Sequence, residues 1–315
     1  MTRQMKAVVL HRFGDTSQLA LEERPIPDPG PTEVLVRVAA AGVNPVDWWT
    51  RMGEGYLAPP PLVLGWDAAG VVEAVNDGVT LYQPGDEVLG MPRFPAEAGC
   101  YAEYIVAPAR HFVAKPAAMP YDEAAGLPLA GLTAWQALVD TADVQPGQRV
   151  LVTSAAGGVG HLAVQIAKAR GAEVVASASA EKHGLVKGLG ADEVVDYRTV
   201  DLGATLRDLD LVIDSIGGDN SERLVPTLRT GGTIIPVFGG ATEAISRAAE
   251  RHGVRAITLL VEPDQIGLLG LTELIDSGRL RVVIDSRWPL DQVAAAHARS
   301  ESGCATGKIV LTTSV

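Results

Sequence analysis

Residues 149–171 read RVLVTSAAGGVGHLAVQIAKARG, so that an apolar strand, a turn of small residues and an amphipathic helix follow one another. The turn fits Ala155-x-Gly157-x-x-Gly160, which is the dinucleotide fingerprint G-x-G-x-x-G with alanine in the first place. Glycine lets the backbone approach a pyrophosphate, and the first N–H groups of a helix attract an anion. The segment therefore predicts a phosphate-binding cradle with His161 at the opening of the helix; the alternative is an ordinary turn between a strand and a helix. The predicted cradle residues are Ala155, Gly157, Gly158, Val159 and Gly160.

The end of the next strand indicates which dinucleotide would bind. An acidic residue there would accept a hydrogen bond from the adenosine ribose and repel a 2′-phosphate. Residues 174–182 read VVASASAEK, with hydroxyls at Ser177 and Ser179 and a cation at Lys182, whereas Glu181 belongs to the opening of the next helix. This set favours NADPH over NADH as the cofactor; the alternative is a solvated serine loop with a surface lysine.

Hydrophobic patterns divide the chain into three parts. Before about residue 119, short β-branched runs such as MKAVVL and TEVLVRVAAAGV alternate with turn residues, which predicts a β-rich, partly barrel-like domain. Strands and helices then alternate, and the strands are continuous apolar runs, as in a parallel sheet covered on both faces. The last part, from about residue 264, holds two helices and two strands that are expected to pack back on the first domain. The expected fold class is α/β, with a β-rich domain and a doubly wound parallel sheet.

Composition narrows the class of partner. The chain has 315 residues, enough for two domains, and a formal net charge of −12. This charge argues against nucleic acid or an anionic membrane as the main partner, because both select basic surfaces. The two cysteines, Cys100 and Cys304, form neither a disulfide framework nor a C-x-x-C site. No secretory signal and no bilayer-spanning window is visible, so the cytoplasm is the expected location.

Further motifs follow in a fixed order along almost the whole chain. They are GVNPVDWWTR, LGWDAAGVVEAV, PGDEVLG, GCYAEYIVAP, LPLAGLTAWQAL, GQRVLVTSAAGGVG, GADEVVDYR and GKIVL. Together they resemble the quinone oxidoreductase branch of the zinc-independent medium-chain dehydrogenase/reductase superfamily. The resemblance implies a GroES-like catalytic domain over residues 1–122 and 262–315, a Rossmann NADP(H)-binding domain over residues 123–261, and a homodimer or homotetramer.

The resemblance also points to the positions where relatives hold zinc. In the zinc alcohol dehydrogenases of the superfamily, a cysteine binds the catalytic zinc near the position of Asn44, and a Gly-His-Glu stretch supplies further ligation. Here that stretch is Gly65-Trp66-Asp67. A structural zinc would need four closely spaced cysteines, whereas Cys100 stands alone. Because zinc takes several nitrogen, sulfur or carboxylate ligands, we expect no metal at either site.

Roles for individual residues follow from the same resemblance. Lys182 and Tyr197 would bind the adenosine 2′-phosphate and ribose. Asn44 would hydrogen-bond a substrate carbonyl at the nicotinamide end; the alternative is a turn-stabilising asparagine before Pro45. Thr133 would lie near the nicotinamide, or else be a threonine inside a helix.

Several residues expected near the nicotinamide and the substrate each have two possible interpretations. The backbone of Phe238 and Gly239 would meet the nicotinamide carboxamide, unless Phe238 is simply part of the core. Lys308 would approach the cofactor, or else be an exposed lysine. An apolar substrate pocket would be walled by aromatic side chains, each of which could instead be core packing: Trp48, Trp49, Tyr56 and Trp66.

The expected activity is direct hydride transfer from NADPH to a small-molecule quinone. An alternative is an enoyl or alkenal (2-alkenone) double-bond reductase in a biosynthetic pathway, which would share cofactor and fold. A further alternative is a low-turnover NADPH-binding protein that acts as a sensor or has a structural role.

Overall fold

The computed structural model describes residues 3–313, which form two compact units. The first unit holds the residues up to Leu132, Glu262–Asp276 and the residues from Val282 onward; the second holds Thr133–Val261 and Ser277–Arg281. The domain bounds expected from the sequence, at 122/123 and 261/262, stay predictions. No helix within the described part of the chain is both long and apolar enough to cross a membrane.

The described residues form short strands and helices along the whole of their length. The strands are β1 Gln4–Leu10, β2 Leu19–Pro25, β3 Glu33–Val43, β4 Leu62–Val63, β5 Asp67–Val75, β6 Glu87–Gly90, β7 Tyr104–Pro108, β8 Phe112–Ala114, β9 Arg149–Val152, β10 Glu173–Ser177, β11 Glu193–Val195, β12 Leu209–Asp214, β13 Leu228–Pro236, β14 Arg255–Ala256, β15 Ile284–Pro289 and β16 Lys308–Thr312. The α-helices are α1 Pro45–Met52, α2 Tyr121–Gly126, α3 Pro128–Trp135, α4 Gly160–Ala169, α5 His183–Gly188, α6 Leu202–Thr205, α7 Asp219–Leu224, α8 Glu243–His252, α9 Gln265–Asp276 and α10 Val293–Glu301.

The first unit is built on a sheet with the order β15-β16-β3-β5-β6-β8, in which β7 also pairs with β3, and on a smaller sheet with the order β2-β1-β4. Apolar residues of β3, β5 and β7, such as Val36, Val72 and Ile105, share one buried core. Leu290, Val293 and Ala296 of the tail belong to the same core. The predicted return of the tail to the first domain is confirmed, since β16 pairs antiparallel with β3 and Ile309 lies opposite Val43.

The second unit contains a parallel sheet with the order β11-β10-β9-β12-β13-β14. This 3-2-1-4-5-6 order is that of a doubly wound dinucleotide-binding sheet, in which ligands bind where the strand order reverses. The strand order reverses between β9 and β12, and β9 leads directly into the glycine turn. The predicted fold class, an α/β chain with a GroES-like β-rich domain and a Rossmann sheet, is confirmed.

One strand is shorter than its sequence predicts. The run VRAITLL, residues 254–260, has the composition of a full strand, but β14 covers only Arg255–Ala256. Its neighbour β13 ends at Pro236, which has no N–H group to continue the ladder. Thr258 instead accepts a hydrogen bond from the Ala241 N–H with its hydroxyl oxygen, at 2.9 Å.

The turn between β9 and α4 depends on a close backbone approach at Gly160. A Cβ atom there would lie 2.2 Å from the carbonyl oxygen of Ser154 and 2.8 Å from the Cα of Ala155. Since both obstacles are backbone atoms, Gly160→Ala should destabilise the protein by about 1–3 kcal/mol. The measurement is the midpoint of urea unfolding, monitored by far-UV circular dichroism.

Gly184 in α5 provides the matched control for this substitution. Nothing lies within 4 Å of a Cβ built on Gly184, so Gly184→Ala should stabilise by about 0.5–1 kcal/mol through helix propensity. An unchanged midpoint for Gly160→Ala would show that the turn does not need the close approach.

Candidate functional site

The glycine turn after β9 leads into α4 without a side-chain cap. Val159 stands at the N-cap and makes no side-chain hydrogen bond to the helix, so the first N–H groups of α4 are not capped by this residue. The His161 Nδ1 atom lies 2.8 Å from the carbonyl oxygen of Gly157, a contact that requires the proton on Nδ1. The buried imidazole thus braces the turn, and the positive potential of the helix start suits a pyrophosphate.

A buried aspartate organises the neighbouring strand end. Asp214, the last residue of β12, accepts hydrogen bonds from the hydroxyls of Thr153 and Ser221, both at 2.5 Å. It also accepts from the backbone N–H groups of Ile216 and Gly217, both at 3.1 Å. These bonds fix the loop after β12 against the end of β9. Sequence reasoning missed Asp214, although an acidic residue that closes the apolar run LVID is a visible signal.

The loop held by Asp214 lines a cavity of about 390 Å³ in the second unit. Tyr197 and Ile216 lie on its lining and keep 49% and 46% of their surface exposed, which is high for apolar side chains. Asn220 and Arg198 add polar groups to the lining. The volume falls within the range of small-molecule sites, and its walls suit a flat aromatic base. Tyr197 is thus placed beside a cavity, while Ile216 was not predicted.

The predicted phosphate contacts lie at the end of β10 and in the turn that follows it. Ser177 is fully buried, and its hydroxyl oxygen has no hydrogen-bond partner within residues 3–313. An unpaired buried hydroxyl is costly, so this atom fits a site that a polar ligand completes. The backbone of Ser177 accepts from the Ala155 N–H at 2.9 Å, which joins this strand end to the cradle. Ser179 and Lys182 follow in the next turn, where the Lys182 N–H donates to the Ser179 carbonyl at 2.9 Å. The residues of this unit therefore fit a dinucleotide.

Phe238 and Gly239 lie in the loop after β13, beyond its end at Pro236. Phe238 is 39% exposed, so the core alternative for this residue is wrong. The Val237 N–H donates to the Asp214 carbonyl at 2.8 Å, and a Cβ at Gly217 would lie 2.4 Å from the Phe238 carbonyl. The loops after β12 and β13 therefore sit side by side at the carboxyl edge of the sheet. Thr133 is a buried residue of α3, also in the second unit.

Asn44 lies in a buried polar cluster of the first unit. Its amide Nδ2 donates to Asp67 Oδ2 at 2.8 Å, and its Oδ1 accepts from the Lys308 ammonium. Lys308 Nζ also lies 3.5 Å from Asp67 Oδ2. The Asn44 backbone N–H donates to Asp47 Oδ2 at 2.6 Å, so Asp47 caps the start of α1. Lys308 is 2% exposed, and the exposed-lysine alternative is wrong.

Burial controls the protonation of this cluster. Loss of hydration raises the pKa of Asp47 to about 7, although the bond from the Asn44 N–H works in the opposite direction. Burial also raises the pKa of Asp67, against the opposing effects of the Lys308 ammonium and of its bonds to Asn44 and the Leu129 N–H. Burial lowers the pKa of Lys308, and the nearby Asp67 and Asp47 counteract it. Within this cluster, Asp47 therefore titrates near neutral pH.

The zinc-ligand positions of the relatives carry groups that suit no zinc. Asn44 offers an amide already bound to Lys308 and Asp67, and Trp66 has only an N–H donor, which goes to the Ala96 carbonyl at 2.8 Å. Burial raises the pKa of the Cys100 thiol well above its usual range, although zinc binds the thiolate. Within residues 3–313, no group of three or more His, Cys, Asp or Glu side chains could hold a metal ion.

The structure brings part of the predicted aromatic wall together. Phe94 packs edge-to-face against both Trp66 and Tyr56, with ring centroids 5.3 and 5.8 Å apart. Trp66 is 1% exposed and belongs to the core, while Tyr56 is 58% exposed. Trp48 has other partners: its indole N–H donates to the Ser300 hydroxyl at 3.2 Å, and its ring packs edge-to-face against Trp49. Sequence reasoning missed Phe94, which joins the two predicted rings.

Comparison with known proteins extends along nearly the whole chain. Residues 30–117 match the alcohol dehydrogenase GroES-like domain, and residues 189–311 match the zinc-binding dehydrogenase family. A chloroplastic quinone-oxidoreductase homolog of Spinacia oleracea is 35% identical, with 95% of each chain covered. A chloroplastic NADPH-dependent alkenal/one oxidoreductase of Arabidopsis thaliana is also 35% identical, over 98% of this chain and 80% of the relative.

A solved structure shows the same likeness in three dimensions. The quinone oxidoreductase from Coxiella burnetii superposes with a TM-score of 0.92 at 34% identity, over 98% of this chain and 99% of that one. The matched lengths span both units. The chain is therefore an oxidoreductase with a nicotinamide cofactor, and it belongs to the quinone oxidoreductase branch of the zinc-independent medium-chain dehydrogenase/reductase superfamily.

Proposed function

We propose that the protein transfers a hydride from NADPH to a quinone without a metal ion. The observation that carries the proposal is the hydrogen bond from the Ala155 N–H to the Ser177 carbonyl, which joins the glycine turn to the end of β10. At that strand end the Ser177 hydroxyl is buried and has no partner within residues 3–313, so a polar ligand would complete it. The quinone as acceptor is supported by the spinach and Coxiella burnetii relatives, whose names describe quinone oxidoreductases. NADPH as the preferred form is supported by the hydroxyls and Lys182 after β10, and by the name of the Arabidopsis relative.

The second unit would hold the cofactor along the carboxyl edge of its sheet. The turn around Gly157 and the start of α4 would bind the pyrophosphate, and the cavity beside Tyr197 would take the adenosine. The 2′-phosphate would contact Ser177, Ser179 and Lys182. The backbone of Phe238 and Gly239, together with Thr133, would contact the nicotinamide. When bound, the reduced nicotinamide supplies a hydride, and the protein contributes position and electrostatics.

Asn44 would stabilise the negative charge that the acceptor oxygen gains. One of its two amide N–H bonds goes to Asp67, so the other can donate to the acceptor. Its carbonyl oxygen accepts from the Lys308 ammonium, which polarises the amide and strengthens the remaining N–H as a donor. Lys308 would thereby act through Asn44; a direct approach of Lys308 to the cofactor stays a prediction. Tyr56 would contribute the exposed ring of the substrate wall, with Trp66 and Trp48 in supporting positions.

The second candidate is reduction of the double bond of an enone or enal. The similarity to the alkenal/one oxidoreductase favours it, and the same amide donor would serve the enolate oxygen. The cytoplasmic location, the homodimer or homotetramer and the low-turnover binding role stay predictions.

A panel of hydride acceptors tests the proposed activity. Purified protein with NADPH should oxidise the cofactor faster with ortho- and para-quinones than with 2-alkenals and 2-alkenones, as measured by loss of absorbance at the nicotinamide band. A rate confined to the enone panel would favour the second candidate. Tight NADPH binding without oxidation on either panel would refute both enzymatic proposals.

Removal of the Lys182 cation tests the preference for NADPH. Lys182→Ala should raise the KM for NADPH about tenfold, because a charged hydrogen bond to phosphate is lost, and should leave the KM for NADH within about twofold. The control is Lys187→Ala, which removes an exposed lysine from α5 in the same unit. Equal effects of Lys182→Ala on both cofactors would contradict the 2′-phosphate assignment.

Asp47 predicts a specific dependence of stability on pH. Its pKa is about 7 in the folded protein and about 3.9 in an unfolded chain, so between these values the folded state retains a proton that the unfolded state releases. The wild type should therefore lose stability as pH rises from about 4 to 7, relative to Asp47→Asn. Between pH 5 and pH 8 the stability of the wild type relative to the variant should fall by on the order of 3 kcal/mol.

Chemical denaturation at pH 5, 6, 7 and 8 measures this difference between Asp47→Asn and the wild type. The exposed Asp77 in the same unit provides the control, since Asp77→Asn should follow the wild type throughout. A difference between Asp47→Asn and the wild type that stays constant with pH would show that Asp47 is already ionised in the folded state at pH 5.

A further inference from the structure

Glu181 lies in the turn that follows β10, next to the residues proposed for the 2′-phosphate. It occupies the short 3-10 helix Ala180–Lys182. The carboxylate accepts from its own backbone N–H and from the Ser179 hydroxyl, and these bonds lower the pKa of Glu181. Its two oxygens also lie 3.2 and 3.3 Å from Arg198 Nη1. Donors from two neighbouring strand ends thus converge on one internal anion.

These donors are the type that a phosphate needs. A hydroxyl and a guanidinium both bind phosphate oxygens, and guanidinium does so with particular geometric fit. Arg198 lines the 390 Å³ cavity beside Tyr197, and its guanidinium carbon lies 5.8 Å from the centre of the Tyr197 ring. Parallel pairing of β10 with β11 sets Ser177 opposite Val195, so the turns that carry Ser179 and Tyr197 start from adjacent positions. A ligand phosphate in this turn would compete with Glu181 for Ser179 and Arg198.

The ion pair between Glu181 and Arg198 can be broken with little loss of folding stability. Both side chains are more than half exposed, and exposed ion pairs contribute little to stability. A 2′-phosphate can therefore recruit Arg198 away from Glu181, but the carboxylate stays close and repels it. With a ribose that lacks the phosphate, the same carboxylate can accept a hydrogen bond from the 2′-hydroxyl.

We propose that Glu181 is a specificity-determining residue: it occupies Ser179 and Arg198 as an internal competitor of the 2′-phosphate and so limits the preference for NADPH over NADH. The inference rests on the proposed placement of the adenosine 2′-phosphate in the second unit. Its consequence is a protein that retains use of NADH, although hydroxyls and a lysine surround the phosphate site.

The test uses 2′,5′-ADP and 5′-AMP, which differ only by the 2′-phosphate. Isothermal titration of the intact protein with each nucleotide gives two dissociation constants, and their ratio isolates the phosphate contribution. Glu181→Gln keeps the size of the side chain and removes its charge. Removal of one negative charge close to a phosphate in a water-like medium should raise the preference for 2′,5′-ADP about five- to tenfold.

Two further variants make the result specific. Glu243→Gln removes the same charge from an exposed i,i+4 ion pair with Arg247 in α8 of the same unit, and should leave the ratio unchanged. Arg198→Gln removes the donor that Glu181 holds, and should lower the preference for 2′,5′-ADP.

The outcomes separate this inference from the proposed function. If the wild type prefers 2′,5′-ADP but Glu181→Gln leaves the ratio as it was, or moves it as much as Glu243→Gln does, Glu181 is not a competitor and the inference fails alone. If the wild type and Glu181→Gln both bind the two nucleotides equally, the phosphate site itself is wrong, and both proposals fail. A raised ratio in Glu181→Gln alone supports the inference.

Discussion

Lys308 places an ammonium group inside the first unit, where a charge is tolerated only if oxygen atoms surround it. Asn44 and Asp67 supply those oxygens, and they come from the end of β3 and the start of β5. Pairing of Gly42 with Asp67 and of Val43 with Ile309 sets the three side chains next to one another. A slip of one residue in either pairing would turn a side chain to the opposite face, so the buried charge requires one register.

Glycine at position 42 follows from the same constraint. A Cβ there would lie 2.7 Å from Asp67 Oδ2 and 2.5 Å from the Ala125 carbonyl. Asp67 also accepts the Leu129 N–H at 2.7 Å, so the carboxylate that balances the ammonium also anchors the first turn of α3. A single carboxylate thereby links the packing of β3, β16 and the helix that follows α2.

The second unit was largely predictable because its signals are local. The glycine turn, the apolar strands and the amphipathic α4 each lie within one short window, and their alternation predicts a parallel sheet. The hydroxyls of Ser177 and Ser179 were visible for the same reason. Asp214 was not recognised as an organiser of the site, because its partner Thr153 follows a different strand, β9, and only the sheet order brings the two together.

Residues of the first unit were harder to interpret, because their partners are distant in sequence. Asn44 and Lys308 were singled out, yet their mutual contact and the role of Asp67 between them depend on strands from both chain ends. Lys308 could not be separated from an exposed lysine, because a charged residue in a short strand normally faces water. Among the aromatic residues, composition alone could not distinguish the buried Trp66 from the exposed Tyr56; Phe94, which joins them, was not considered.

The division of the first unit between distant parts of the chain has a consequence for its synthesis. Every residue of the second unit leaves the ribosome before Lys308, which must then find Asn44 and Asp67 near the other end. Until Lys308 arrives, closing the core over Asp67 would bury a carboxylate that lacks its cation, which costs on the order of several kcal/mol. We therefore expect a nascent chain to keep this core open while the parallel sheet is already able to form. Arrival of β16 would supply both the strand and the counter-charge, and the GroES-like unit would then close around Lys308.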